Sequence, residues 1–299
     1  ARYRRRMRFA HGVPAVGEVP VLAVVSGEHP IPVPALFDGA PADLQTLVEG
    51  GDALLDTVRA AVADADSAST LPRIPLTDAM FATAVSKPPV ILAIGLNYAA
   101  HSSELGLKTD PTPTVFVLWP GSLTGHESTV TWPRSLSEAV DYEAELGVII
   151  GRPAHNVTAA DALGHVWGYT VVNDITARNI QYSEAQWSRC KSFDGFTPTG
   201  PFVVTADEIA DPQDLHIWTV LDGHTVQDAS TDQMVRPVSA LIAALSQSAT
   251  LLPGTLISTG SPGGAGYSRD PQIFLRDRST VTVCIDGIGE LTVHCRMLD

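Results

Sequence analysis

The chain of 299 residues contains only three cysteines, Cys190, Cys284 and Cys295, and no Cys-x-x-Cys pair. That excludes a disulfide-stapled scaffold and a thiolate zinc site, and it fits a reducing, cytoplasmic setting. Basic residues are also scarce: 19 Lys and Arg stand against 33 Asp and Glu, a net charge of -14. So acidic a surface repels phosphate backbones, and nucleic acid is not expected as a partner. No apolar run reaches the roughly 18 residues of a membrane-spanning helix, so no membrane partner is expected either. The basic opening Ala1 to Arg8 lacks the apolar stretch of a secretory signal and reads as a short solvated arm, with a transit peptide as the alternative. No Gly-Lys-Ser/Thr follows a glycine-rich stretch, no serine sits in a nucleophile elbow, and no internal repeat stands out.

What is present is an apolar-rich chain long enough for a sizeable core. Up to about residue 85, short apolar runs such as Val19 to Val25 are broken by Gly and Pro, with a helix-like stretch from Asp52 to Ala63. Ala65 to Pro75 is rich in Ser, Thr, Asp and Pro and reads as a linker. A small N-terminal α+β domain is therefore expected over residues 1–85, followed by a larger domain over 86–299. The larger part is dense in β-branched runs, Val90–Ile94, Leu146–Ile150, Tyr169–Val172 and Thr280–Ile285, with few helices, Val238 to Gln247 among them. The fold class is α+β and β-rich.

Within Asp141-Tyr142-Glu143-Ala144-Glu145-Leu146-Gly147-Val148, strand alternation puts Glu143 and Glu145 on one face, with Tyr142, Ala144, Leu146 and Val148 on the other. Two neighbouring carboxylates repel unless a cation or solvent lies between them. A solvent-facing edge is the alternative. Tyr169 to Asn173 reads as a buried strand ending at Asp174, which is expected near the N-cap of a following helix that projects Arg178 and Gln181 on the same side. A capping Asp beside a surface Arg would explain that pattern too. Three carboxylates without cysteine or obligatory histidine make a hard oxygen set suited to Mg²⁺ or Mn²⁺, with positions left for a chelating 2-oxo acid.

His101 and Glu104 stand three residues apart in a helix-like stretch. A carboxylate so placed can fix the imidazole tautomer for a water-activating base, although surface His–Glu pairs share the spacing. Lys191 lies in a loop of aromatics and Gly, where it is either a solvated lysine or a cation that steadies an enolate or carboxylate. The loop Ser258 to Gly266 could bind a carboxylate through its N–H groups and the Thr259 hydroxyl.

In order along the chain, Gly95-Leu96-Asn97-Tyr98 with His101 and Glu104, Asp141-Tyr142-Glu143-Ala144-Glu145-Leu146, Asn173-Asp174 with Ala177-Arg178 and Gln181, Lys191-Ser192-Phe193-Asp194, and Thr259-Gly260 resemble the fumarylacetoacetate hydrolase superfamily. The resemblance implies a mixed β-roll catalytic domain in a homodimer, with a small accessory domain before it. It implies a metal held by Glu143, Glu145 and Asp174, and a His101–Glu104 dyad on a mobile lid. Arg178, Gln181, Lys191, Thr259 and Tyr98 are implied at the substrate. The implied reaction is hydrolysis of a C–C bond in a 2-oxo acid or 1,3-diketone, with oxaloacetate-type decarboxylation or enol–keto isomerisation as alternatives and a silent binding protein as a minor one. Relatives usually carry Lys near Leu118, Ser near Gly121, Gly at Cys190, Thr at Ser261 and a Gly-Asp turn near Arg278-Ser279. The missing cation, with Trp119 beside it, suggests a bulkier substrate.

Overall fold

The structure, a computed structural model, describes residues 7–13, 20–26, 29–68, 80–104, 106 and 112–299. Residues 1–6 of the expected arm and the part of the expected linker after Ala68 lie outside the described residues.

Two strands form the spine, Ala144–Ile150 and Val166–Asn173, paired antiparallel with Leu146 opposite Val171. Every residue of both is buried, which explains their nearly unbroken apolar composition. Thr197–Thr205 flanks the second strand, and Leu256–Ser258 flanks the first. Beyond Leu256–Ser258 come Ile91–Gly95, running parallel, and the edge strand Thr114–Leu118. A second sheet of five strands, His224–Ser230, His216–Leu221, Thr280–Ile285, Gly289–Leu298 and Ser128–Pro133, packs across one face. Leu146, Val148 and Val171 meet Ile217, Val283 and Leu291 there, with the helix Val238–Ser246 closing the layer. On the opposite face, Ile149, Trp167 and Leu256 pack against Leu44, Leu47 and Val58 from the helices Leu44–Glu49 and Gly51–Ala68. The fold is thus β-rich α+β, as its sequence leads one to expect.

The N-terminal part does not hang on a linker alone. Arg8–Val13 pairs with Thr197–Thr205, Phe9 opposite Val203, and the Ala84 N–H donates to Thr199 O at 3.2 Å, so the long sheet runs across residue 85. The helix expected over 52–63 extends over Gly51–Ala68 and takes in the start of the expected linker. Asp174 is not a helix cap. The chain first makes the short strand Thr176–Ala177, and the helix Arg178–Ser183 starts after Ala177. All three cysteines are free and buried; burial pushes the Cys190 thiol up to about 11, so it is an inert packing group.

His11 ties the first strand to the helix Leu44–Glu49 and to Thr83. Its Nδ1 lies 3.2 Å from Thr83 O, and its Nε2 accepts the Leu44 N–H at 3.2 Å. The neutral, Nδ1-protonated ring satisfies both partners, and protonation would break the second bond. Burial lowers its pKa from the ordinary 6.5, outweighing backbone bonds to Thr83 and Ala84 that raise it. The unfolded chain therefore takes up a proton first as pH falls. The neutral ring's contribution is complete above the unfolded value of 6.5 and is lost as pH drops through the lower folded one. Urea unfolding at about pH 7.5 and about pH 5.5 will show a larger acid loss of stability in the wild type than in His11→Gln. Equal losses would reject this account.

Candidate metal centre

The strand alternation delivers its carboxylates to one place. Ala144, Leu146 and Val148 enter the core between the sheets, and Glu145 points the other way with Gly147 and Ile149. Glu143 stands just before the strand, where the ladder is interrupted and its N–H donates at 3.1 Å to the side-chain oxygen of Asn173. That interruption also sends Tyr142 into a third cluster with Trp132 and Ile175, not onto the Leu146 face expected for it. Asp174 follows the neighbouring strand, its N–H bonded to Glu143 O at 2.9 Å. Ligand oxygens of Glu143, Glu145 and Asp174 all lie within 4.8 Å of one another, and all three residues are buried.

Around this cluster the partners are few and fixed. Lys191 Nζ sits 2.7 Å from Glu143 Oε2, 2.6 Å from Asp174 Oδ2 and 2.8 Å from Thr176 Oγ1. Arg178, fully buried, donates Nε to Asp141 Oδ2 and Nη1 to Gln181 Oε1, each at 2.9 Å. Its Nη2 forms an ion pair with Glu143 Oε1 at 2.7 Å. Glu145 Oε2 accepts from Ser258 Oγ at 2.5 Å and from the Gly260 N–H at 2.9 Å. Gly260 has φ +96°, and a Cβ there would press on Asn97 and Ile94 O, so a bare backbone is needed for this approach.

Four buried carboxylates, Asp141, Glu143, Glu145 and Asp174, thus face two fixed cations, Arg178 and Lys191. The carboxyl groups thus outnumber the permanent cations that touch them. Burial pushes the Glu143 carboxyl up, but Lys191 and Arg178 outweigh it and hold it well below its usual range. Glu145 moves the other way, raised by burial and then by Asp174 and Glu143. Asp174 is pushed up to about 6, again chiefly by burial, and its Oδ1 is buried with no hydrogen-bond partner. An orphaned carboxylate oxygen beside an under-neutralised oxygen cluster suits a hard divalent cation.

His101 and Glu104 occupy the helix Ala99–Glu104, as their spacing predicts. His101 Nε2 lies 3.4 Å from Glu143 Oε1, while Nδ1 is buried without a hydrogen bond, 3.9 Å from Glu104 Oε2. Burial lowers the pKa of His101, but the two carboxylates outweigh it and raise it. Glu104 is held by the Gly264 N–H at 2.9 Å and Ser268 Oγ at 3.1 Å.

The cavity among these groups is lined by Glu143, Glu145, Asp174, His101, Gln181 and Lys191 on its polar side. Its volume of about 10 Å³ is room for one water or ion. Three residues expected at the substrate, Thr259, Tyr98 and Arg178, are not part of its lining. The Thr259 hydroxyl donates to Leu146 O at 2.9 Å, inside the sheet, and Tyr98 is 1 % exposed in the core. Arg178 stands behind Glu143 and Gln181. Leu118 is buried in the cluster that holds Phe116 and likewise does not line the cavity. The N–H groups of the glycine loop do bind carboxylates, but the chain's own. Gly260 takes Glu145, Gly264 takes Glu104, and Gly266 and Tyr267 take Asp141. Asp141, given no role from sequence, is the residue that aligns Arg178; its spacing of two from Glu143 was the available signal. Ser258, which serves Glu145, carried none.

Buried acidic residues grouped at the ends of β-strands, with a histidine–glutamate pair beside them, define a β-rich protein with a carboxylate cluster that could hold a metal ion. The chain belongs to the fumarylacetoacetate hydrolase family: residues 90–296 match the model described as fumarylacetoacetate (FAA) hydrolase C-terminal. A Burkholderia ambifaria protein, named as a hydrolase without a substrate, is 40% identical over 257 residues, covering 85% of this chain and 90% of its own. The maleylpyruvate hydrolase of Sphingobium sp. SYK-6, solved with manganese(II) and pyruvate, superposes with a TM-score of 0.80 at 28% identity, over 98% of this chain and 100% of that one. The 5-carboxymethyl-2-hydroxymuconate delta-isomerase of Mycobacterium smegmatis has a TM-score of 0.75 at 27% identity, with the same coverage.

Calorimetric titration with Mn²⁺ will show binding to the wild type and none to Asp174→Ala. Unchanged affinity in the variant would exclude Asp174 as a ligand.

Proposed function

We propose that this chain is a divalent-metal-dependent enzyme that hydrolyses a C–C bond in a small 2-oxo acid bearing a second carbonyl, an acylpyruvate or related diketone. The observation that carries the reading is the buried carboxylate triad, in which Asp174 Oδ1 has no hydrogen-bond partner, set beside a histidine 3.4 Å from Glu143. The manganese and pyruvate bound by the Sphingobium relative support it.

Glu143, Glu145 and Asp174 are the proposed ligands of Mg²⁺ or Mn²⁺, which when bound supplies a Lewis acid for the keto oxygen of a 2-oxo acid. His101 takes a proton from the attacking water, and Glu104 stabilises the imidazolium that results. Lys191 offsets negative charge that develops on the departing enolate. Gln181 has its oxygen committed to Arg178, which leaves the amide N–H₂ to donate to a substrate carboxylate. Arg178 is a positioning residue in this scheme, because its guanidinium is spent on Asp141, Glu143 and Gln181.

We further propose a homodimer. Val115 (39 % exposed), Val117 (42 %) and Trp119 (50 %) alternate along the edge strand Thr114–Leu118 and just past it, an apolar stripe that a second copy would cover. Val117→Lys is expected to shift the sedimentation of the protein toward monomer; a wild type that already sediments as a monomer overturns the assignment.

Chelator-stripped protein resupplied with Mn²⁺ or Mg²⁺ is expected to release pyruvate and a second carboxylic acid from acylpyruvates, as identified by mass. His101→Ala should lower that rate by roughly a hundred- to ten-thousand-fold while retaining Mn²⁺. Carbon dioxide as product would instead mean a decarboxylase, and a product of unchanged mass an isomerase.

A further inference from the structure

The cavity lining is not all polar. Beside the carboxylates and Lys191 it includes Ile94, Leu96, Phe116 and Trp187, with the Phe116 ring centroid 5.4 Å from Lys191 Nζ. Phe116 and Trp187 meet edge to face, with ring centroids 5.6 Å apart at 70°. A Cβ on Gly95 would collide with the Trp187 ring, so the missing side chain there is what lets the indole lie against the strand. Gly95, Leu96 and Trp187 are only half-buried, so this part of the lining is partly open to solvent.

Leu96 is the informative member. Its φ is +59°, a left-handed conformation that strains a residue with a Cβ and that Gly or Asn adopts more readily. The surroundings enforce it. The fully buried Asn97 side chain donates to Arg236 O at 3.0 Å and Thr259 O at 2.8 Å and accepts the Arg236 N–H at 3.0 Å, while its carbonyl accepts the Val235 N–H at 2.7 Å. A strained leucine clamped so that it lines a site indicates that the side chain is wanted there. Among the described residues lining the cavity, Lys191 is the only Lys or Arg, and two carboxylates already hold it.

We propose that Leu96, Phe116 and Trp187 form a specificity-determining wall that selects 2-oxo acids whose far end is apolar and uncharged over dicarboxylates, with Leu96 as its principal residue. The 2-oxo acid head rests on the function proposed above; the tail preference rests on the wall. The head faces the carboxylates and Gln181, and the tail runs outward along Gly95, Leu96 and Trp187. A second carboxylate on that tail would meet apolar surface, and among the described residues lining the cavity no Lys or Arg other than Lys191 is there to pair it.

The test reads binding and does not depend on turnover. Mn²⁺-loaded protein is titrated calorimetrically with straight-chain 2-oxo acids from pyruvate to 2-oxooctanoate and with 2-oxoglutarate. Kd is expected to fall about fourfold for each methylene laid on the wall, and 2-oxoglutarate is expected to bind more weakly than 2-oxohexanoate. Leu96→Ala should flatten the dependence on chain length. Leu96→Gly should flatten it as well while relaxing the backbone, so that a loss of folding in the first variant does not hide the result. A Kd independent of chain length, tighter binding of 2-oxoglutarate, undiminished dependence in both variants, or no binding of any member would overturn the proposal. Chain-length-dependent binding without hydrolysis of any acylpyruvate would uphold the wall and reject the proposed reaction.

Discussion

Everything in the site depends on one electrostatic constraint: four carboxylates are buried at the edge of a β core with only two fixed cations to hold them. An isolated carboxylate in such surroundings would take up a proton and not remain charged. Arg178 and Lys191 keep Glu143 ionised by direct contact, and Glu145 and Asp174, less well compensated, are pushed the other way. Removing one member of a buried, paired set typically costs about 3–5 kcal/mol, because the charge left behind is no longer answered. The cluster is thus a demand on stability, and the spine strands, buried on both faces, are what can bear it.

Backbone supplies the rest of the compensation. Gly260, Gly264, Gly266 and Tyr267 turn their N–H groups toward three different carboxylates, and Gly260 and Gly264 do so at φ +96° and +97°. One loop therefore connects Glu145, Glu104 and the Asp141–Arg178 pair. A movement that freed Glu104 toward His101 would exchange its bonds to Gly264 and Ser268 for a contact that now stands at 3.9 Å. Loop and dyad are coupled through these hydrogen bonds, without any intermediary.

Much of this was legible in the sequence because period-two alternation is a local property. Glu143 and Glu145 could be assigned to one face, and the apolar runs at 146–150 and 280–285 to buried strands, with no knowledge of what packs on them. The spacing of His101 and Glu104 gave their helix correctly. Asp174 has the sequence look of a cap and is not one, because a short strand and a turn before Arg178 leave no signature in a run such as Ile175-Thr176-Ala177. Thr259 looks like a ligand-binding hydroxyl, yet the adjacent sheet takes its proton through Leu146 O, a non-local bond that no spacing discloses. The same holds for Ser258, 113 residues from the Glu145 oxygen it serves. Tyr142 misses its expected face through a break in the ladder, which composition does not reveal.

The cost of the arrangement is unevenly spread. Seven buried side-chain polar atoms among the described residues lack a hydrogen bond, and five of them belong to Tyr98, His101, Asn173, Asp174 and Arg178. The other two, on Trp167 and Thr255, lie away from the carboxylate cluster. Each unsatisfied group typically forfeits about 1–3 kcal/mol, and Leu96 adds backbone strain at the same cavity. A fold selected for stability alone would satisfy or remove these groups, since Asn or Gly at 96 and an apolar residue at 174 are cheaper. Two of these atoms, on His101 and Asp174, line one small cavity with Leu96, while the surrounding sheets are well paired, which separates the part of the molecule that stabilises from the part that acts. Asp174 Oδ1 is the atom where that separation is sharpest: it is buried, polar and without a hydrogen-bond partner among the described residues.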